Sequence, residues 1–285
     1  MKCTLSQTFY FDAKECVPDG LAFSKVIESL SFWGDRSING YLWQDSSPPS
    51  RPQKIRLGSA NILKELALNP NQPVWGGVDC GAGFDRVSES RIADLSFGCY
   101  EPSSWLGVAT PAYSSLVLSE DWYNECGFDL ASSPFKVHAS VMDRASPIYG
   151  CLDVSSAADS QAGLVFGSLV VRGASLRLLI EQARWLEKLN TGETAVRGLF
   201  WGNYFGHQIV EALNQQFENG FVEAYSQQAK FSDGSPSAII EEFANGVFLS
   251  IGNSPLECVP GNRLELATQL NVAWLTNSLV RGKLL

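Results

Sequence analysis

Hydrophobic positions recur along this chain with two periods, and the switches between them divide it into elements. Residues 4–11 are aromatic-rich, close on Phe9 and Phe11, and read as a strand. After Pro18, Phe23, Val26, Ile27, Leu30 and Trp33 fall at helical spacing, with Gly34 placed to stop the helix. Residues 38–43 read as a strand. The Ser/Pro-rich residues 46–52 form a connection to a second helical stripe, Ile55, Ile62, Leu63 and Leu66, ended by Asn69-Pro70. Residues 70–90, with Gly76, Gly77, Gly81 and Gly83, read as a loop. Ala93, Leu95, Phe97 and Cys99 alternate with polar or small residues as in a half-buried strand. The sharpest alternation is Phe135, Val137, Ala139 and Val141 against Lys136, His138 and Ser140, which predicts a strand with His138 on its solvent side. Residues 101–133, between these last two strands, are aromatic and turn-rich and carry no clear period.

The second half has a similar rhythm. A strand is expected at 148–154, and a helix over 173–189 with Leu176, Leu179, Ile180, Ala183 and Leu186 on one face. A strand over 196–201 feeds a helix holding Phe205, Ile209, Leu213 and Phe217. Strands near 221–226 and 246–252 follow, then a closing helix with Leu264, Ala267, Leu270 and Trp274. Both halves thus read β-α-β-α-β-β. The expected fold is α+β, a mixed or antiparallel sheet packed with helices. It is built either as two lobes, 1–145 and 146–285, or as one continuous domain assembled from two similar units.

Composition supports an ordered body: 45% of the 285 residues are hydrophobic and 18% charged, with eight Trp and sixteen Phe, enough apolar surface to offset chain entropy. The net charge of −9 argues against a partner held through a basic face, so neither nucleic acid nor an anionic membrane is expected. Residues 1–16 contain no apolar stretch suited to a secretory signal, and no run approaches the length of a membrane helix. Seven scattered cysteines include no C-x-x-C pair, which fits reduced thiols in a cytoplasmic protein.

Candidate chemistry is sparse. There are two histidines, His138 and His207. On a helix, His207 would share a face with Asn203 and Glu211, so His207 and Glu211 are candidate catalytic residues, as base and orienter, or two ligands of a metal. A solvated polar face is the competing explanation. A metal site needs further ligands that the spacing does not supply, so neither metal nor cofactor is expected. The glycines at 76–83 are not followed by a helical pattern, unlike a phosphate-binding loop. No Gly-x-Ser-x-Gly elbow is present. Trp105 and Trp122, in the irregular segment, are candidate partner-binding residues, because exposed tryptophans anchor interfaces.

Two blocks carry a family resemblance. One is Val196-Arg197-Gly198-Leu199-Phe200-Trp201-Gly202-Asn203-Tyr204-Phe205-Gly206; the other is Gly246-Val247-Phe248-Leu249-Ser250-Ile251-Gly252-Asn253-Ser254-Pro255, followed by Pro260-Gly261-Asn262-Arg263. Together, over about a third of the chain, they resemble the C-terminal region of a family of bacterial immunity-type proteins associated with type VI secretion toxins. The resemblance implies neutralisation of a protein toxin by stoichiometric binding, with no catalytic residues to carry over. The alternative from another class is a hydrolase with a dispersed site around His207 and Glu211.

Overall fold

Residues on both faces of the first strand, β1 (Cys3–Phe11), are buried: Leu5, Gln7, Phe9 and Phe11 on one side, Thr8 and Tyr10 on the other. A strand covered on both sides belongs to the middle of a layered fold. In the computed structural model, which describes residues 3–11, 39–43, 53–56, 75–79, 93–98, 112–119, 134–156, 200–215, 217–227 and 239–251, β1 pairs antiparallel with a strand on each side. The remaining strands are β2 (Asn39–Trp43), β3 (Gln53–Arg56), β4 (Trp75–Asp79), β5 (Ala93–Gly98), β6 (Ala112–Ser119), β7 (Tyr149–Ser156), β8 (Gly202–Gly206), β9 (Ile239–Glu242) and β10 (Gly246–Ser250). They form one ten-stranded sheet in the order β3-β2-β4-β5-β6-β1-β7-β8-β10-β9, with antiparallel neighbours throughout. The described helices are α1 (Pro134–Asp143), α2 (His207–Asn214) and α3 (Phe221–Gln227).

The α+β class stands, with an antiparallel sheet and helices packed on it. Strands expected at 4–11, 38–43, 93–99, 148–154 and 246–252 are present within a residue or two. Other elements differ. The alternating segment at 135–141 is helix α1, and the strand expected near 221–226 is helix α3. Ile55 lies in β3 instead of a helix, β4 occupies part of the expected 70–90 loop, and β6 falls in the unassigned 101–133 stretch. Residues 196–199 of the strand expected at 196–201 lie outside the described residues; the strand described next to them covers Gly202–Gly206, so Phe205 is a strand residue and not a helical one. Outward from the β1–β7 pair, one flank runs β6, β5, β4, β2, β3 and the other β8, β10, β9, so the described elements do not reveal a repeated unit. The helices expected after Pro18, over 173–189 and at the C-terminal end lie outside the described residues.

Helix α1 begins with Pro134, whose fixed φ and missing N–H suit the first helical position. Its buried residues Phe135, His138, Ala139 and Met142 follow the i, i+3, i+4, i+7 spacing of one helix face, whereas Lys136, Val137 and Ser140 are half-buried or exposed. That face lies on the Gln7–Phe9 side of the sheet, where the His138 and Tyr204 rings meet Phe9 edge-on at centroid separations of 5.1 and 5.4 Å. On the opposite side, Tyr10 stacks on Tyr149 and Tyr149 on Phe205, at 6.5 and 6.3 Å, and Phe205 meets Phe221 of α3 edge-on at 5.9 Å. Each fully buried Phe is worth about 1.5–3 kcal/mol in transfer free energy, so these two aromatic layers dominate the described core.

Gly150 makes this packing possible. A Cβ there would sit 2.7 Å from Phe9 Cδ1 and 3.0 Å from Tyr204 Cβ, so only glycine lets the two rings close over β7.

Candidate functional site

The described core encloses a polar chain linking three elements. His138 of α1 lies between Gln7 of β1 and Ser114 of β6, with Nδ1 2.8 Å from Gln7 Oε1 and Nε2 2.9 Å from Ser114 Oγ. An amide oxygen only accepts, so Nδ1 carries the proton and Nε2 accepts from the Ser114 hydroxyl. A serine donating to an imidazole whose other nitrogen is held by an oxygen is the bonding order of a hydrolytic triad. Two features remove the chemistry. Gln7 has no negative charge to stabilise an imidazolium, and all three side chains are sealed, at 1% exposure for Gln7 and 0% for His138 and Ser114. Burial pushes the His138 pKa down to about 3, leaving the ring neutral and weakly basic near pH 7. The arrangement clamps α1 to the sheet. The expectation that His138 faces solvent from a strand is therefore overturned: it sits on the inner face of a helix, its polarity satisfied by two distant partners.

A second clamp holds the other end of α1. The Tyr204 hydroxyl donates to Asp143 Oδ1 at 2.5 Å, the Asn245 backbone N–H donates to the same oxygen at 3.0 Å, and Asn245 Nδ2 donates to the Asp143 carbonyl at 2.9 Å. Burial, followed by the hydrogen bond and the charge of Asp143, raises the Tyr204 pKa far above the usual phenol range, so it remains a hydroxyl donor. Asp143 is 3% exposed and ties the helix C-terminus to the β9–β10 turn. On the far side of the sheet, Asn203 Oδ1 accepts from the Tyr149 hydroxyl and the Phe200 N–H, while its Nδ2 donates to the Phe200 carbonyl. Asn203 fixes the entry into β8.

The sequence-derived candidates are arranged differently. His207 opens α2 immediately after Gly206, and its Nε2 lies 3.1 Å from Glu211 Oε1. The two side chains are 80% and 62% exposed, an i,i+4 contact on a solvated helix face worth roughly 0.3–0.5 kcal/mol when charged. Asn203 does not join them; it is buried in β8. The opposite face of α2 buries Ile209 and Leu213, as the apolar stripe requires. Trp201, just before β8, is fully buried. Gly76 and Gly77 lie within β4, paired to β2 and β5, which removes them from any phosphate-binding turn. Trp105, Trp122 and residues 80–85 lie outside the described residues. Among the described residues no group of three His, Cys, Asp or Glu converges as metal ligands, and no helix is long and apolar enough to cross a membrane.

No family model matches the chain, and no curated protein matches it either. Among solved structures, the fold is similar to that of the Pseudomonas aeruginosa T6SS protein PA0821, with a TM-score of 0.55 over 98% of this chain and 81% of that one. Sequence identity is 12%, so the similarity is one of fold.

The buried Gln7–His138–Ser114 chain was not readable from local pattern, because its members lie 131 and 24 positions apart from the histidine. One local signal was available: with His138 counted as an inward residue, residues 135–142 show helical rather than strand spacing.

Proposed function

We propose that this chain is a non-catalytic, cytoplasmic binding protein of a type VI secretion system, which neutralises a protein toxin by stoichiometric association in the manner of an immunity protein. The observation that carries the reading is the fold likeness to a T6SS protein, which extends over 98% of the chain instead of one shared subdomain. The blocks at 196–206 and 246–255 support it. Β-strands 8 and 10, which fall in these blocks, pair with each other in the sheet. The chemistry of the described residues is compatible: one histidine is locked neutral in the core, and the other faces solvent with Glu211 as its neighbour. A net charge of −9 favours a basic protein surface as target over nucleic acid or an anionic membrane.

The test is co-expression of the full chain with individual T6SS toxins of its host. The expected result is restored growth with one toxin and co-elution of the two chains in fixed stoichiometry on size exclusion. Restored growth without a stable complex, accompanied by a chemically altered toxin or toxin product, would point instead to the hydrolase reading and to His207 and Glu211.

A further inference from the structure

The sheet ends at β9, and its outer edge carries no strand among the described residues. In the β9–β10 hairpin, Phe243 N–H donates to the Gly246 carbonyl at 2.9 Å, which fixes the hydrogen-bonding phase. Bonded and non-bonded pairs alternate along an antiparallel ladder. Glu241 and Ile239 therefore bond inward to Phe248 and Ser250, and Ile240 and Glu242 direct their N–H and C=O groups outward. The side chains follow the other alternation. Ile239 and Glu241 share one face of the strand and Ile240 and Glu242 the other. Ile239 is 37% exposed, the exposed large hydrophobic residue among those described, and Glu242 is exposed on the opposite face. Glu241 pairs with Lys136 of α1, while α3 packs alongside β9. The surrounding sequence is acidic: Lys230 is the sole Lys or Arg between Arg197 and Arg263, a span holding seven acidic residues.

An unpaired edge with an exposed apolar residue recruits an extended segment through main-chain hydrogen bonds, and alternate side chains set the specificity. Glu241 is held by Lys136, so Glu242 is the exposed charge this edge offers. It opposes a like charge across the strands and favours a strand carrying Lys or Arg. We infer that the outer edge of β9, which no described strand pairs, is the docking surface for the partner, which adds an extended segment bearing basic residues next to Ile239–Glu242. This rests on the binding-protein reading above and supplies the surface and the chemistry of the partner.

The test uses the full chain and, as probe, a synthetic peptide of about eight alternating lysines and valines, with a glutamate–valine peptide as control. The basic peptide is expected to slow amide exchange at Ile240 and Glu242, and the acidic one to leave it unchanged. Glu242→Lys should weaken binding of the basic peptide by roughly three- to tenfold. Ile240→Pro removes an outward donor without removing a ladder bond, a position where edge strands tolerate proline, and should abolish binding. If that variant does not fold, exchange on the wild type and the Glu242→Lys affinity decide the matter. Unchanged exchange at the two amides, unaltered affinity in Glu242→Lys, or protection that rises with protein concentration alone (a second copy on the edge) would each overturn the inference. The same variants separate it from the functional proposal: a toxin that co-elutes equally with wild type and both variants retains the function and rejects this surface. Protection by the basic peptide with no toxin bound does the reverse.

Discussion

Gln7 and His138, 131 positions apart in the chain, meet in the core at 2.8 Å, with the imidazole Nδ1–H donating to the amide oxygen. The bond joins the central strand to the helix that covers it, and the Ser114 hydroxyl completes the imidazole's hydrogen bonding from the neighbouring strand. Removing the ring leaves two buried polar groups without their partner and a cavity beside Phe9. His138→Ala should therefore cost roughly 3–5 kcal/mol, read as a lower urea midpoint at unchanged slope.

The same histidine gives stability a pH dependence of known sign. The unfolded ring takes a proton near 6.5, and the folded one only near 3. Between these values the unfolded state binds more protons, so stability is complete above about pH 6.5 and falls as the pH drops toward 3. The full loss is on the order of 5 kcal/mol. Urea titrations of wild type and His138→Leu from pH 7 to 3.5 should show a steeper acid loss in the wild type. Parallel curves would mean that the ring takes up its proton without leaving the core.

Tyr204→Phe tests the second clamp. It deletes the hydroxyl that donates to Asp143 and leaves Asn245 N–H bonded to the same carboxylate. A hydrogen bond to a charged group is worth about 1.5–3 kcal/mol, and thermal melts should register a loss in that range. Exchange at the Asn245 amide should quicken, because the β9–β10 turn loses part of its anchor.

Gly150→Ala probes the aromatic layer. The added methyl would meet Phe9 Cδ1 at 2.7 Å and Tyr204 Cβ at 3.0 Å, neither of them the end of a flexible chain. Overpacking of this kind costs about 1–3 kcal/mol. Chemical denaturation provides the number, and near-UV circular dichroism should change as the tyrosines shift.

His207→Ala and Trp201→Ala should behave oppositely. The first removes an exposed ring and should move stability by no more than about 0.5 kcal/mol. The second empties a fully buried site and should cost about 3–5 kcal/mol. Elemental analysis and melts with and without chelator accompany them: no stoichiometric zinc and no chelator-induced shift are expected.

At two of the misread elements, α1 and β6, the misleading residues are polar and buried. Alternation at 135–141 predicts a strand because His138 counts as a solvent-facing residue, yet two long-range hydrogen bonds make it an interior one. In β6, Ser114 and Ser115 are both buried, satisfied by His138 and Thr8, so the strand lacks the apolar signature that would reveal it. Phe221 and Tyr225 occupy one face of α3 and are both buried, but seven residues give too short a period to separate helix from strand. The helix start is instead marked by the Asn214 side chain, which accepts from the Phe221 N–H at 2.8 Å from seven positions away. Strands whose partners are apolar on at least one face, such as β7 and β10, were legible. His207 and Glu211 meet on one exposed helix face, as their i,i+4 spacing predicts.

The central position of β1 also has a cost on the ribosome. Its two neighbours pair Thr4 with Ser119 and Cys3 with Ser156, so β1 cannot complete its pairing until a partner about 150 residues further on has been synthesised. At about 5–20 residues per second, that is a wait of roughly 10–30 s. For most of it, until β6 is made, the aromatic run Phe9-Tyr10-Phe11 has neither strand partner available. A chain wired in this way is expected to lean on chaperones during synthesis, and to refold more slowly than a helical protein of the same length.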